Sequence, residues 1–130
     1  MDQDLFDKGM KIRRKVLGDA YVDKALAKSG PFNEPLQELV TTYCWGWNWG
    51  REGLPLRDRS LINIAMIAVL NRSHELKIHI RGALNNGLTK EEIREVLLQV
   101  GIYAGIPAAV DSFRLANEAF AEIEAEGDAP

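Results

Sequence analysis

The stretch DRSLINIAMIAVLNRSHELKIHIRGALNNG, residues 58–87, decides the fold class. Its first part, residues 58–70, carries apolar side chains on nearly every helical face, which predicts a helix that is buried all round. Asn71-Arg72-Ser73 interrupts the pattern, and a second helix is predicted from His74 to Asn86. The first helix is too short to span a bilayer, which needs roughly 20 apolar residues. A domain core or a subunit interface is therefore expected to enclose it.

Helical periodicity continues on both sides of this stretch. Upstream, helices are predicted over residues 4–17, over a short segment near residues 21–26, and from Asn33 into the tryptophan-rich run Cys44–Trp49. Downstream, Thr89-Lys90-Glu91-Glu92 fits a capping box that opens a further helix.

The end of the chain completes the helical pattern. Gly105-Ile106-Pro107 separates the capped helix from a last helix, and no alternating strand pattern of convincing length occurs. We therefore predict an all-α fold: one compact multi-helix domain over residues 1–130. Residues from about 122 to 130 are expected to form a frayed acidic tail.

Composition and charge exclude several function classes. The 130 residues carry a net charge of -3, and Lys and Arg are scattered, so no basic patch for nucleic acid is expected. The single cysteine, Cys44, excludes an internal disulfide framework and a Cys-x-x-Cys redox pair. The acidic N-terminal residues do not resemble a signal peptide. We expect a cytoplasmic protein that binds neither nucleic acid nor membrane.

Glu75 and His79 form the main candidate for chemistry. They lie four residues apart on one face of the predicted helix, where a carboxylate can hydrogen-bond an imidazole. Arg72 precedes Glu75 by three residues and falls close to the same line. An imidazole oriented by a carboxylate is a competent proton donor or acceptor near neutral pH. A purely structural hydrogen bond beneath the core fits the same spacing.

The two histidines do not form a metal site. His74 and His79 are five residues apart, which places them about 140° apart around a helix. Zinc-binding histidine pairs on a helix are four apart, on one face. No metal is therefore expected.

Two other groups of residues allow a structural and a functional interpretation. Trp45 and Trp49 are four apart and share a face, which fits either a packed core or the wall of an apolar pocket. Cys44, between two aromatic residues, is expected to be buried. Arg57 and Arg59 lie at the beginning of the helix predicted over residues 58–70, where cations oppose the helix dipole; they are either solvated or bind an anionic ligand.

Motifs along nearly the whole chain resemble the carboxymuconolactone decarboxylase family. They include Tyr43-Cys44-Trp45-Gly46, Gly53-Leu54-Pro55, Arg59-Ser60-Leu61, Leu70-Asn71-Arg72, the run from Glu75 to Gly87, and Tyr103-x-Gly105-Ile106-Pro107. The related helical alkyl-hydroperoxidases have a Cys-x-x-Cys pair followed four residues later by histidine. In this chain Arg72 and Glu75 stand at the cysteine positions and His79 at the histidine, so that peroxidase route is closed.

The resemblance implies an activity and an assembly. The expected reaction is decarboxylation of a lactone dicarboxylate in protocatechuate breakdown, through the β-ketoadipate pathway. The lactone carbonyl is itself the electron sink, so no cofactor is expected. The implied assembly is a compact helical homo-oligomer, with a hexamer expected.

Site roles follow as a hypothesis. His79 is assigned as general acid or oxyanion donor, oriented by Glu75. The substrate carboxylate is assigned to Arg72 ahead of Arg81, with help from Arg57 or Arg59. An apolar wall of the substrate site is assigned to Trp45 and Trp49.

Two alternatives to this function stay open. One is another lactone- or hydroperoxide-handling enzyme on the same scaffold; turnover of a hydroperoxide would depend on Cys44. The other is a non-catalytic helical oligomer in which Glu75 and His79 are structural.

Overall fold

The computed structural model describes residues 2–127, and every helix or strand element assigned in that range is a helix. The prediction of an all-α fold is confirmed for these residues. None of the helices in this range is long and apolar enough to cross a membrane. The elements are α1 (Gln3–Leu17), α2 (Asp19–Ala27), α3 (Glu34–Leu39), a π-helix (Val40–Asn48), α4 (Leu56–Val69), α5 (Ser73–Asn85), α6 (Lys90–Tyr103) and α7 (Ile106–Ala125).

Local sequence signals set several helix ends. Gly18 ends α1 with a backbone φ of 92°, a conformation that residues with a Cβ rarely adopt. The predicted capping box opens α6: Thr89 Oγ1 accepts from the backbone N–H of Glu92 at 3.1 Å, and Glu92 Oε1 accepts from the backbone N–H of Thr89 at 3.0 Å. Asn71 takes a positive φ of 57° in the turn between α4 and α5, which asparagine tolerates better than most residues.

The chain divides into two compact units after Leu56. In the N-terminal unit, α1 packs against the π-helix at very short range, which glycines permit. A Cβ on Gly9 would clash with the carbonyl oxygen of Thr41, and a Cβ on Gly46 with that of Leu5. Close backbone contact of this kind requires residues without side chains.

The π-helix was not predicted from the sequence. The spacing favoured one continuous α-helix from Asn33, but the helix widens after Leu39, and the backbone N–H of Trp49 donates to the carbonyl of Cys44, five residues back, at 3.0 Å. Residues four apart still share a face in this element, so periodicity alone did not reveal the wider turn.

The C-terminal unit begins at Arg57 and is built around α7, against which α5 and α6 pack. Its core consists of aliphatic side chains that are almost fully buried, including Ile64, Leu76, Ile80, Ile93, Leu97 and Leu115. Burial of such side chains contributes about 1.5–3 kcal/mol each to stability. This core fixes the position of α5, which carries Glu75 and His79.

Burial of α4 differs from the prediction. Ser60, Ile64 and Ala68 are buried, but Ile62 and Met66 are 42% and 52% exposed. The helix therefore gives one face to the core of its unit and leaves another apolar face exposed. The core of the unit therefore encloses only one face of α4, and burial of the other face in a subunit interface stays a prediction, because the periodicity of a helix cannot distinguish a core face from an interface.

The acidic end of the chain is more regular than expected. Helix α7 continues to Ala125, Ile123 is 4% exposed, and Glu122 and Glu126 form ion pairs with Lys77 and Arg81 of α5. Fraying from residue 122 is therefore wrong as far as Ala125. Residues 128–130 of the predicted tail lie outside the described residues.

Candidate active site

His79 is positioned by a contact between α4 and α5. The side-chain amide nitrogen of Asn63 lies 3.2 Å from Nδ1 of His79, within hydrogen-bond distance. A second polar contact joins the same helices, where Asn86 Nδ2 donates to the hydroxyl of the fully buried Ser60 at 2.8 Å. Asn63 was not predicted from the sequence, since it lies 16 residues before His79 and only the packing of the helices brings the two together.

Burial keeps the imidazole neutral. Desolvation lowers the pKa of His79 from 6.5 to about 4, and the negative charge of Glu75 opposes this effect without reversing it. At neutral pH the side chain is therefore an imidazole and not an imidazolium. Of the two predicted roles, this favours the hydrogen-bond donor to an oxyanion over the general acid.

Glu75 and Arg72 lie at the exposed beginning of α5. Glu75 is solvent-exposed and acts on His79 through its charge. Arg72 precedes the first residue of α5, is exposed, and forms no ion pair within residues 2–127. Its guanidinium therefore remains a candidate for binding a carboxylate, as predicted.

Two of the predicted substrate-binding arginines already hold carboxylates of the protein. Arg57 forms an ion pair with Glu92, the residue that also closes the capping box of α6. Arg81 binds Glu126 with both terminal nitrogens, each at 2.9 Å. This two-point geometry is the strongest that an arginine makes with a carboxylate. Both arginines thus have a structural function in tying helices of the C-terminal unit together.

Arg59 lies one helical turn before Asn63 on α4, so the two side chains share a face of that helix. It is half-buried, and its Nε atom is fully buried. Among the arginines of α4, Arg59 is therefore the one on the same helical face as the residue that contacts His79.

A groove between α4 and α6 lies on the face of α4 opposite Asn63. It has a volume of about 400 Å³ and is lined by Leu61, Ala65 and Val96, among others. Leu61 and Ala65 are each two residues from Asn63, which puts them on the far side of α4. This groove is therefore distinct from the Asn63–His79 contact.

Trp45 and Trp49 are core residues of the N-terminal unit. They are 3% and 5% exposed, and their rings stack with centroids 4.7 Å apart. The predicted shared face is confirmed, and the stacking favours the structural interpretation of the pair. Their assignment as an apolar wall for substrate stays a prediction.

Comparison with known proteins decides the family. Residues 34–118 match the model of the carboxymuconolactone decarboxylase family. The chain belongs to this family. It is 37% identical to a 4-carboxymuconolactone decarboxylase of Acinetobacter baylyi over 94% of this chain and 91% of the relative. It is also 40% identical to a nitrosuccinic acid decarboxylase of Metarhizium robertsii, over 95% of this chain and 87% of the relative.

A shorter match is to a 4-carboxymuconolactone decarboxylase of Pseudomonas putida, 49% identical over 32% of this chain and 85% of the relative. The family and these relatives place the chain among the carboxy-lyases. The substrates in the relatives' names differ, although both are carboxylic acids that lose CO2.

The surroundings of Cys44 disfavour a reactive thiolate. Cys44 is exposed, contrary to the expectation that it is buried, and lies on the π-helix. Desolvation raises the pKa of its thiol, and the charge of Arg13 only partly offsets this. A raised pKa disfavours the thiolate, which is the reactive form. Within residues 2–127, no group of three or more His, Cys, Asp or Glu side chains is placed to hold a metal ion.

Proposed function

We propose that this carboxymuconolactone decarboxylase family member converts 4-carboxymuconolactone to the β-ketoadipate enol-lactone and CO2. The observation that carries the proposal is the near full-length similarity to the Acinetobacter baylyi enzyme of that name. The neutral imidazole of His79, held by Asn63, supplies the kind of group that the reaction requires, and Arg59 shares a face of α4 with Asn63.

The substrate provides its own electron sink. The bond between the ring carbon and its carboxylate breaks, CO2 leaves, and the electron pair moves through the ring double bond into the lactone carbonyl. The product of this step is a dienolate with negative charge on the carbonyl oxygen. A proton then adds to the carbon next to the carbonyl and gives the enol-lactone. Pyridoxal, thiamine or a metal is unnecessary because the lactone accepts the electrons.

His79 stabilises the oxyanion in this scheme. A donor aimed at the atom where charge develops usually lowers the barrier of such a reaction more than any other group in the site. A neutral imidazole is suited to this task because its N–H donates a hydrogen bond without transferring the proton. Solvent water then protonates the ring carbon. Glu75 contributes negative charge that keeps the imidazole electron-rich.

Arg59 and Arg72 bind the carboxylate that remains on the product. Arg59 shares a face of α4 with Asn63, and Arg72 lies at the start of α5, the helix of His79. Arg57 and Arg81 take a smaller part, since Glu92 and Glu126 occupy their guanidinium groups. This ordering revises the prediction from sequence, which placed Arg72 and Arg81 ahead of Arg59.

A nitrosuccinate-like substrate is the second candidate, and the similarity to the Metarhizium robertsii enzyme favours it. There the nitro group takes the electron pair when the neighbouring carboxylate leaves as CO2, and protonation of the nitronate at carbon completes the reaction. The common requirement is a dicarboxylate in which an electron-withdrawing group is bonded to the carbon that loses CO2 or is conjugated with that carbon through a double bond. Both candidates use the same hydrogen-bond donor and the same carboxylate-binding arginines.

Parallel kinetic measurements separate the two substrates. The lactone is generated in situ from 3-carboxy-cis,cis-muconate with the cycloisomerase, and CO2 release is followed with and without this protein; nitrosuccinate is assayed in the same way. The proposal predicts a kcat/KM for the lactone at least about tenfold above that for nitrosuccinate, a difference of about 1.4 kcal/mol. A reversed ratio would assign the chain to the nitro acid. Acceleration of neither reaction by folded protein would contradict both candidates.

We also propose that the chain forms a homo-oligomer, with a hexamer expected. It is proposed to act in the cytoplasm and to catalyse one step of protocatechuate breakdown. Four large apolar residues around the turn between α6 and α7 are 62–83% exposed: Ile102, Tyr103, Ile106 and Val110. An apolar surface of this kind marks an interaction site. Native mass spectrometry of wild type and of Val110→Lys measures the assembly, and a monomeric wild type would contradict it.

A further inference from the structure

We propose that Asn63 is a positioning residue that holds His79 in the neutral tautomer whose proton is on Nε2. Its catalytic consequence rests on the function proposed above, because Nε2–H then becomes the donor to the oxyanion. The tautomer itself is a property of the protein and is measured without any substrate.

The direction of the hydrogen bond carries the inference. The amide nitrogen of Asn63 has two hydrogens and cannot accept, so at 3.2 Å from Nδ1 of His79 it is the donor, and Nδ1 is the acceptor. A ring nitrogen that accepts has no proton. Since a neutral imidazole carries one proton, that proton is on Nε2.

The geometry does not depend on Asn63 alone. The hydrogen bond between Asn86 and the fully buried Ser60 joins α4 to α5 at a second point, and both helices contribute to the core. Replacement of Asn63 is therefore expected to leave the helices in place while it changes the group that faces Nδ1. Ser60 serves as a matched control, because it supports the same helix pair without contacting His79.

An amide at position 63 differs in kind from a carboxylate of the same shape. Aspartate at this position would accept from Nδ1–H, move the proton from Nε2 to Nδ1, and stabilise the imidazolium by its charge. Glu75 already acts on His79 with a negative charge, so Asn63→Asp would place a second carboxylate near the ring. The substitution is close to isosteric, which makes it a sharp test of donor against acceptor.

Nitrogen NMR of histidine-labelled protein tests the proposal directly. The chain has two histidines, His74 and His79, so the variant His74→Gln leaves a single imidazole to observe. At pH 7 we expect the signature of a protonated Nε2 and an unprotonated Nδ1. Asn63→Asp is expected to reverse this pattern and to raise the pKa of His79. Asn63→Leu is expected to give a mixture of tautomers, and Ser60→Ala is expected to leave the wild-type pattern unchanged.

Activity provides a second readout. Loss of a donor aimed at an oxyanion reduces kcat by about 10², and we expect a reduction of that order for Asn63→Asp. Asn63→Leu adds no charge beside Arg59, and we expect it to lower kcat with KM changed by less than about threefold. A proton on Nδ1 in the wild type, or an unchanged tautomer in both Asn63 variants, would overturn the proposal. If the tautomer switches but wild type releases no CO2 from either candidate acid, the positioning role stands and the proposed function fails.

Discussion

Replacement of His79 by glutamine is expected to remove a defined part of the acid sensitivity of the fold. Burial lowers the pKa of His79 to about 4 in the folded protein, against 6.5 for an ordinary histidine. Between these values the unfolded chain binds a proton that the folded chain does not, so stability falls as the pH decreases. Well above pH 6.5 both states are neutral at this residue and its contribution is constant.

The size of the effect follows from these two values. A pKa of about 4 instead of 6.5 amounts to about 3 kcal/mol when the pH falls below 4. Between pH 7 and pH 5 the wild type loses about 2 kcal/mol through His79 alone. Carboxylates also titrate in this range, but they contribute equally to wild type and variant, and the difference between the two isolates the imidazole.

Urea unfolding at pH 7 and pH 5 measures the difference. We expect the free energy of unfolding of the wild type to fall by about 2 kcal/mol more than that of His79→Gln. His74→Gln is the matched control, since it removes an exposed imidazole from the same helix. Equal pH dependence in wild type and His79→Gln would refute the conclusion that the imidazole is held neutral by burial.

Four other outcomes test the fold and the site. Arg59→Gln is expected to raise KM by about tenfold or more in a steady-state assay, as loss of a charged hydrogen bond does. In the same assay Arg57→Gln is expected to change KM only a few-fold, because the guanidinium of Arg57 pairs with Glu92. Gly9→Ala is expected to cost about 2 kcal/mol or more through its clash with the π-helix backbone, whereas Gly30→Ala, with open space around it, stays within about 0.5 kcal/mol in thermal melts. Thr89→Ala is expected to cost about 1 kcal/mol by removing the cap of α6, as read by chemical unfolding. Turnover is expected to be nearly independent of pH between 6 and 8, because the imidazole is already neutral there; a rate that follows a group with a pKa near 6.5 would instead indicate general acid catalysis.

Local signals in the sequence predicted the helices well. The capping box at Thr89 and the glycine stop at Gly18 act within one helical turn, so their effect is readable from neighbouring residues. The π-helix at Val40–Asn48 was not predicted, because its apolar residues keep a spacing of four that an α-helix also allows.

The site was predicted only in part, because its decisive contacts are long-range. Glu75 and His79 share a helix, and the charge of Glu75 acts on the imidazole, while the predicted hydrogen bond by which Glu75 orients His79 stays a prediction. Asn63 lies on another helix, and Arg81 meets Glu126 across 45 residues of sequence. Such contacts depend on how helices pack, which the spacing of residues within one helix does not contain.

The central claim is that neutral His79 accelerates the decarboxylation. The most direct test compares wild type and His79→Gln in the rate of CO2 release from 4-carboxymuconolactone. We expect wild type to exceed the spontaneous rate and His79→Gln to lose about 10² in kcat at pH 7, with unchanged assembly and a cooperative unfolding transition. A His79→Gln rate within a few-fold of the wild type would contradict the assignment and leave His79 as a structural residue.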